Sequence, residues 1–319
     1  MARVRAAALL ATGRATVCAV AARRRERADR LASELGLSAC ACLDDYRRAI
    51  DSGPEAVLVE VPHESQQEIV TWALEAGLHV LIGGPPATTV AGASEIVRLA
   101  TSKRLAVEAG YEARYSALWE AARQMVAEGR LGRIVAARSI ALWDGDPGSW
   151  YYDQQASGGM PVTHMTYCFV NPMRWLLGRP VAVSAFANRK RETGPRTVRE
   201  ETCVANILFE DDVPYSMTAG FVRPAAMPGW SATLVGTDAG LELIPAENGI
   251  GTMIHYGRDG TGTHTFAGSA DPFRLQAAAF LDTMDGKAAC RNSPEETLWD
   301  VRVADAIAAS AARGQTIVL

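Results

Sequence analysis

Between residues 15 and 109, short apolar runs alternate with helix-length amphipathic segments, and this alternation most restricts what the chain can fold into. The runs are ATVCAVA (15–21), AVLVEV (56–61), HVLI (79–82) and LAVEA (105–109), with a shorter one at 39–42. Helical segments at 4–12, 25–35, 44–51, 64–76 and 89–100 lie before and between them. Continuous apolar runs mark strands buried on both faces, and their alternation with helices predicts a doubly wound parallel sheet of α/β class. From residue 117 the pattern changes. One helix at 117–128 precedes alternating patches at 134–142, 204–209 and 215–221, with further helices at 160–177 and 273–284. This predicts an α+β unit with a mostly antiparallel sheet and helices on one face, and a division into residues 1–112 and 113–319.

A Rossmann-like dinucleotide-binding unit opens with a strand and a Gly-x-Gly-x-x-Gly turn whose backbone meets a pyrophosphate at a helix N-terminus. This chain opens inside the helix at 4–12, and no glycine precedes Gly13. The expected fold is therefore an N-terminally truncated Rossmann-like sheet. Because the first strand is central in that order, its absence leaves a slot between two buried neighbours. Losing about five buried apolar side chains at roughly 1.5–3 kcal/mol each amounts to about 10 kcal/mol, comparable to a domain's stability. We therefore expect a strand supplied from residues ahead of Met1 or by another chain. The arginines and alanines at 1–12 imitate an export signal, but Gly13 and Arg14 interrupt the apolar stretch and the segment reads as a helix.

The 319 residues are 48% hydrophobic, enough for two packed domains. A net charge of -4 provides no field to gather nucleic acid or an anionic membrane, so a small-molecule partner is expected. The six cysteines are scattered, and Cys40-x-Cys42 lacks the second pair that a zinc site requires, so no metal is expected. Thiols of this kind suit a reducing cytoplasm.

The stretch GLHVLIGGPPATT (77–89) combines a helix end, a buried strand and the turn Gly83-Gly84-Pro85-Pro86. With RLGRI at 130–134, LVGTDAG at 234–240 and the closing helix and strand at 304–319, it resembles the glucose-fructose oxidoreductase, inositol dehydrogenase and rhizopine-catabolism (Gfo/Idh/MocA) family. In that family the turn carries Glu-Lys-Pro, and the lysine works in hydride transfer. Its position here is Gly84, and only Lys103, Lys190 and Lys287 exist in the chain. The resemblance implies cofactor contacts from Ala22, Arg23 and Arg24 after the second strand, from Pro62 and His63 (where the family often has Asn), and from Gly83, Gly84 and Pro85. Ala22 stands where an Asp often holds the ribose, whereas Arg23 and Arg24 can pair with a 2′-phosphate, so NADP is preferred over NAD if a dinucleotide binds. Equally, the missing glycine loop suits a chain that has lost cofactor binding.

The segment SGGMPVTHMTYC (157–168) resembles the family's catalytic helix; its Asp falls on His164 and its His on Cys168. Positions four apart share a helix face, and a histidine titrates near neutrality, so His164 is the expected acid/base, with Cys168 as its neighbour. Cys168 beside a protonated histidine could become a thiolate. Tyr152 and Asp153 complete the candidate catalytic set, with Trp150 and Tyr151 as aromatic walls for a sugar or ring. Tyr111, Arg114 and Tyr115 follow the last parallel strand, at the carboxyl edge where such sheets bind ligands. Three functions are compatible with these residues. One is an NAD(P)-dependent oxidoreductase on a sugar-like or cyclic molecule. The second is a hydride-free lyase, isomerase or cyclase using His164, and the third a non-catalytic partner subunit. The resemblance also implies a homo-oligomer, dimer or tetramer.

Overall fold

The computed structural model describes the chain except residues 160, 161, 190–193, 195, 196, 247–250 and 268, and for 162–167 only the backbone. Helix α1 (Ala2–Leu10) leads to β1 (Ala19–Ala21), α2 (Arg25–Glu34) and β2 (Ala41–Leu43). A 3-10 segment at Tyr46–Ser52 follows, then β3 (Ala56–Val59), α3 (His63–Glu75), β4 (His79–Ile82), α4 (Val90–Lys103) and β5 (Val107–Ala109). All ladders in this unit are parallel. The expected helix at 44–51 is instead 3-10, ended by Gly53 in the left-handed region at φ 64°. Asp45 caps it by accepting from the Arg47 amide at 3.0 Å.

The parallel sheet is in two pieces, β1 with β2 and β3-β4-β5 in that order. The apolar run at 15–21 yields only three strand residues, all half-buried. A strand forms only as far as it finds a partner, and β1 has one on a single edge. Helices α3 and α4 cover one face of β3-β4-β5 through Val70, Ala73, Leu74, Ile96 and Leu99, packed on Val59, Val80, Ile82 and Val107. On the other face Leu9 of α1 and Phe280 of a later helix meet Ala56, Leu58, Leu81 and Ala106.

Helix α5 (Ala117–Ala127) leads into β6 (Ile134–Leu142). A loop with a 3-10 turn at Trp150–Tyr152 and the short α6 (Gln154–Ser157) precedes α7 (Val162–Leu177). Strands β7 (Pro180–Arg189), β8 (Glu200–Phe209), β9 (Pro214–Gly220), β10 (Trp230–Gly236), β11 (Gly240–Ile244), β12 (Thr252–Gly257) and β13 (Gly260–Thr265) follow. Helices α8 (Pro272–Met284) and α9 (Pro294–Arg313) and strand β14 (Ile317–Val318) close the chain. The nine-stranded sheet runs β13-β12-β11-β10-β6-β9-β8-β7-β14 and is antiparallel except where β6 meets β9. Its inner face packs Ala137, Val183, Ala205, Ile207, Met217 and Leu234 on Trp119 of α5, Phe169 and Met173 of α7, and Val303 and Ile307 of α9. Phe186, Val204, Leu208, Val235 and Tyr256 project from the other face.

Helix α9 begins ten residues before the segment at 304–319 and joins the two cores, with Val301 in the first and Val303 in the second. A buried ionic knot fixes it. Arg174 donates to Asp300 at 2.8 Å, Asn171 donates to the other Asp300 oxygen at 2.8 Å, and Arg114 donates to the Asn171 carbonyl at 2.9 Å and to Glu296 at 3.1 Å.

Candidate active site

The carboxyl ends of β3, β4 and β5 converge on one place, where the chain leaves each strand through Glu60, Gly83-Gly84 and Gly110. Gly110 packs so closely that a Cβ there would stand 2.6 Å from the Gly84 nitrogen and 2.8 Å from Arg5 Nη2. Arg5 reaches in from α1. Its guanidinium lies 2.7 Å from Glu60 and 3.1 Å from Glu112, donates to the Gly110 carbonyl and to Gln276 at 2.8 Å each, and covers the Phe273 ring at 4.8 Å. Both partners of the Arg5–Glu60 pair are buried, 6% and 12% exposed at the side chain. Burial raises the Glu60 carboxyl above the usual carboxylate range, and the charge of Arg5 opposes that rise.

The two glycines of the turn are explained by what surrounds them. A Cβ at Gly83 would coincide with the Glu60 carboxylate. Gly84 sits at φ 121°, a conformation that side chains rarely adopt, and its missing Cβ would lie 3.2 Å from His63 Nε2. Thus the place beside the family's lysine position holds an imidazole. His63 opens α3 after Pro62, is 2% exposed, and donates from Nδ1 to the Ser157 carbonyl at 3.1 Å. A carbonyl can only accept, so Nδ1 carries the hydrogen and Nε2 is left with its lone pair. Burial pulls the ring's pKa down to about 4, with the Ser157 carbonyl opposing, so it is neutral at physiological pH. Gln66, one turn on, donates to the Gly83 carbonyl at 2.9 Å and ties α3 to the turn.

The aromatic loop from the second unit forms the opposite wall. Trp150 stands edge-on to His63 at 4.8 Å and Tyr151 at 6.2 Å, and Trp143 extends the wall to Tyr151 at 5.7 Å. Burial pushes the Tyr151 hydroxyl up to about 12, so it remains a neutral donor. Ser149 and Asp153 shape the loop as caps: Asp153 accepts from the Gln155 and Ala156 amides at 3.0 Å each. Tyr152 turns away and stacks on Phe221 at 4.9 Å.

The other residues singled out by sequence divide between this wall, the surface and the interior. The His164 side chain lies outside the described residues. Cys168 is half-buried on α7, and burial pushes its thiol up to about 12, which favours the neutral thiol. Arg114 is 1% exposed with its Nη1 and Nη2 groups engaged in the α9 knot and the Arg291 carbonyl. Tyr115 donates to the buried Glu108 at 3.0 Å, and Tyr111 is buried behind it, its carbonyl taken by Asn292. Pro85 is buried, while Arg23 and Arg24 are exposed at the end of β1 beside half-buried Ala22. Sequence reasoning missed Arg5, Glu60 and Gln66. An arginine directly before the apolar run Ala6–Leu10 and a charge at a strand's end were the available signals for the first two.

Models of two domains match the chain: the NAD-binding Rossmann fold of the Gfo/Idh/MocA oxidoreductase family over residues 1–111, and the C-terminal domain of the same family over residues 119–242. The chain belongs to the Gfo/Idh/MocA oxidoreductase family. Among curated relatives of this Gfo/Idh/MocA protein is 1,5-anhydro-D-fructose reductase of Ensifer adhaerens, 24% identical, covering 83% of this chain and 80% of that one. Another is inositol 2-dehydrogenase of Leifsonia xyli, 28% identical, covering 72% and 67%. Among solved structures, levoglucosan dehydrogenase in complex with NADH superposes with a TM-score of 0.88 at 19% identity, covering 100% and 96% of the two chains. Aldose-aldose oxidoreductase of Caulobacter crescentus, in complex with glycerol, superposes with a TM-score of 0.85 at 21% identity, covering 95% and 92%. At these identities the superpositions establish the fold.

Arg23 and Arg24 are exposed at the end of β1, and Trp150 packs on His63 beside Gly84 at the carboxyl edge of β3 and β4.

Proposed function

We propose that this protein is an oxidoreductase of the family acting on a hydroxyl or carbonyl of a sugar-like or cyclic small molecule, with His63 in the role that lysine has elsewhere. The observation that carries the reading is the His63 Nε2 atom, 3.2 Å from the point where a side chain at Gly84 would begin. With Nδ1–H fixed on the Ser157 carbonyl, Nε2 can accept the hydrogen of a substrate hydroxyl and orient that oxygen. Trp150 and Tyr151 offer aromatic faces to the C–H side of a sugar or cyclitol, in keeping with the sugar and inositol activities named for the relatives. His164, four residues before Cys168 on α7, is a second candidate acid/base. We propose NADP over NAD on account of Arg23 and Arg24, a cytoplasmic location, and a dimer or tetramer formed through the apolar outer face of the nine-stranded sheet.

A hydride-free lyase, isomerase or cyclase is the second reading, favoured by one observation: the turn after β4 carries Gly84 and no lysine. Titration with NADPH and NADH, followed by cofactor fluorescence, separates the two. Micromolar binding, tighter for NADPH, is expected under the first reading. Absence of binding, together with a melting temperature that rises with polyols, would establish the second.

A further inference from the structure

Three of the six cysteines lie together on the small parallel ladder of β1 and β2. Val20 pairs with Cys42, and the Ala41 amide donates to the Cys18 carbonyl at 2.9 Å, so Cys18 stands opposite Cys40 one step before the first paired residues. Side chains two apart on a strand share a face, which puts Cys18, Cys40 and Cys42 on the same side of the ladder. Helix α2 covers that side: burial and the Asp29 carboxylate of α2 push the Cys42 thiol up. Burial also raises the Cys40 thiol, with Cys42 and Cys18 adding to the rise and the Val20 amide of β1 opposing it. The Cys40 sulfur, which donates to the Ala41 carbonyl at 3.7 Å, therefore lies over the seam between the two strands. All three thiols are free and half-buried, so small solutes reach them.

Geometry decides which pair can join. A disulfide spans Cα atoms about 4.4–6.8 Å apart. Directly opposite residues on neighbouring strands are about 4.8 Å apart, within that range, whereas the diagonal from Cys18 to Cys42 is about 7–8 Å, beyond it. Cys40 and Cys42 are about 6.6 Å apart along one strand, at the far limit, with side chains standing parallel. We propose that Cys18 and Cys40 are a peroxide-sensitive dithiol whose disulfide staples β1 to β2 and closes the chain around α2. One sulfur attacks hydrogen peroxide, breaking its O–O bond, and becomes a sulfenic acid as water leaves; the other displaces that hydroxyl as a second water and forms the S–S bond. The two thiols give up two electrons and two protons, and the peroxide takes both. A transient bond of this kind suits a reducing compartment, where thiol reductants restore the dithiol. Strands β1 and β2 are only three residues each and half-buried throughout, so one covalent tie across the seam restricts the opening of this small ladder.

The test treats the full chain with hydrogen peroxide, blocks the remaining thiols with iodoacetamide and maps tryptic peptides by mass spectrometry. Expected is a link between the peptides 15–23 and 31–47, at a mass lower by about 2 Da than their sum, that dithiothreitol reverses. Cys18→Ser and Cys40→Ser should each abolish the link, and Cys42→Ser should leave it. Amide hydrogen exchange at Ala22 and Ala41, whose N–H groups cross the seam, should slow by about 10-fold on oxidation and recover with the reductant. A bond confined to the peptide 31–47, a link between two chains, oxygen added to single thiols without a link, or three alkylated thiols after peroxide would overturn the proposal. So would a Cys18–Cys40 bond that leaves exchange at Ala22 and Ala41 unchanged, since the strands would not then be stapled.

Discussion

At the scale of single residues, the site turns on a histidine and two glycines. Replacing His63 by Asn removes the basic lone pair beside Gly84 while retaining a polar group, and turnover should fall by about 100-fold or more with the fold intact by circular dichroism. The same ring makes stability depend on pH. Its folded pKa, at about 4, is depressed below the ordinary histidine value of 6.5, so the unfolded chain binds the proton first as pH falls. Stability is therefore complete above about 6.5 and declines between there and about 4, by about 2 kcal/mol at pH 5 for this group. Urea unfolding at pH 7 and pH 5 should show that loss in the native chain and lack it in His63→Asn. Restoring a lysine at Gly84 should not rescue or raise activity: φ of 121° costs a side chain about 1–3 kcal/mol, and its Cβ meets the imidazole. A thermal melt of Gly84→Lys, lower than the native melt by several degrees, checks this.

At the scale of elements, the sequence spoke most clearly where a segment's own pattern decides its structure. The run at 79–82 became β4 with the same bounds, and the run at 134–142 became β6, because one continuous or alternating apolar pattern leaves little choice. The run at 15–21 shortened to β1 because pairing, which no local pattern records, ends it. Likewise the helix at 304–319 begins at Pro294, capped by Ser293; its start is written in Ser-Pro-Glu-Glu rather than in hydrophobic period. The candidate site was legible only in part. Gly84, His63, Trp150 and Tyr151 were drawn from resemblance and converge in space, but Arg114 turns inward to Glu296 and Asn171, which lie far away in the chain, and Tyr115 to Glu108, buried at the end of β5. Arg5 was invisible because its role depends on Glu60, Gly110 and Gln276, which are 55 to 271 positions away. The Arg5–Glu60 pair also yields a prediction for α1. Arg5→Met strands a buried carboxylate and should destabilise the fold by about 3–5 kcal/mol, whereas Arg5→Met with Glu60→Gln should recover much of that by chemical denaturation.

For the molecule as a whole, α9 makes the two units interdependent. It contributes Val301 to one core and Val303 and Ile307 to the other, and the Arg174–Asp300 pair anchors it with no solvent access at Asp300. Asp300→Ala leaves Arg174 and Asn171 without their buried acceptor. We expect both units to lose stability together, by about 3–5 kcal/mol, in one cooperative transition seen alike by tryptophan fluorescence and far-ultraviolet dichroism.

The carboxylate of Glu60 stands where Gly83 would carry a side chain, so any residue but glycine at 83 asks that carboxylate to swing out of its present pose and away from Arg5. A change in the turn is thereby felt in the amino-terminal helix through one ion pair.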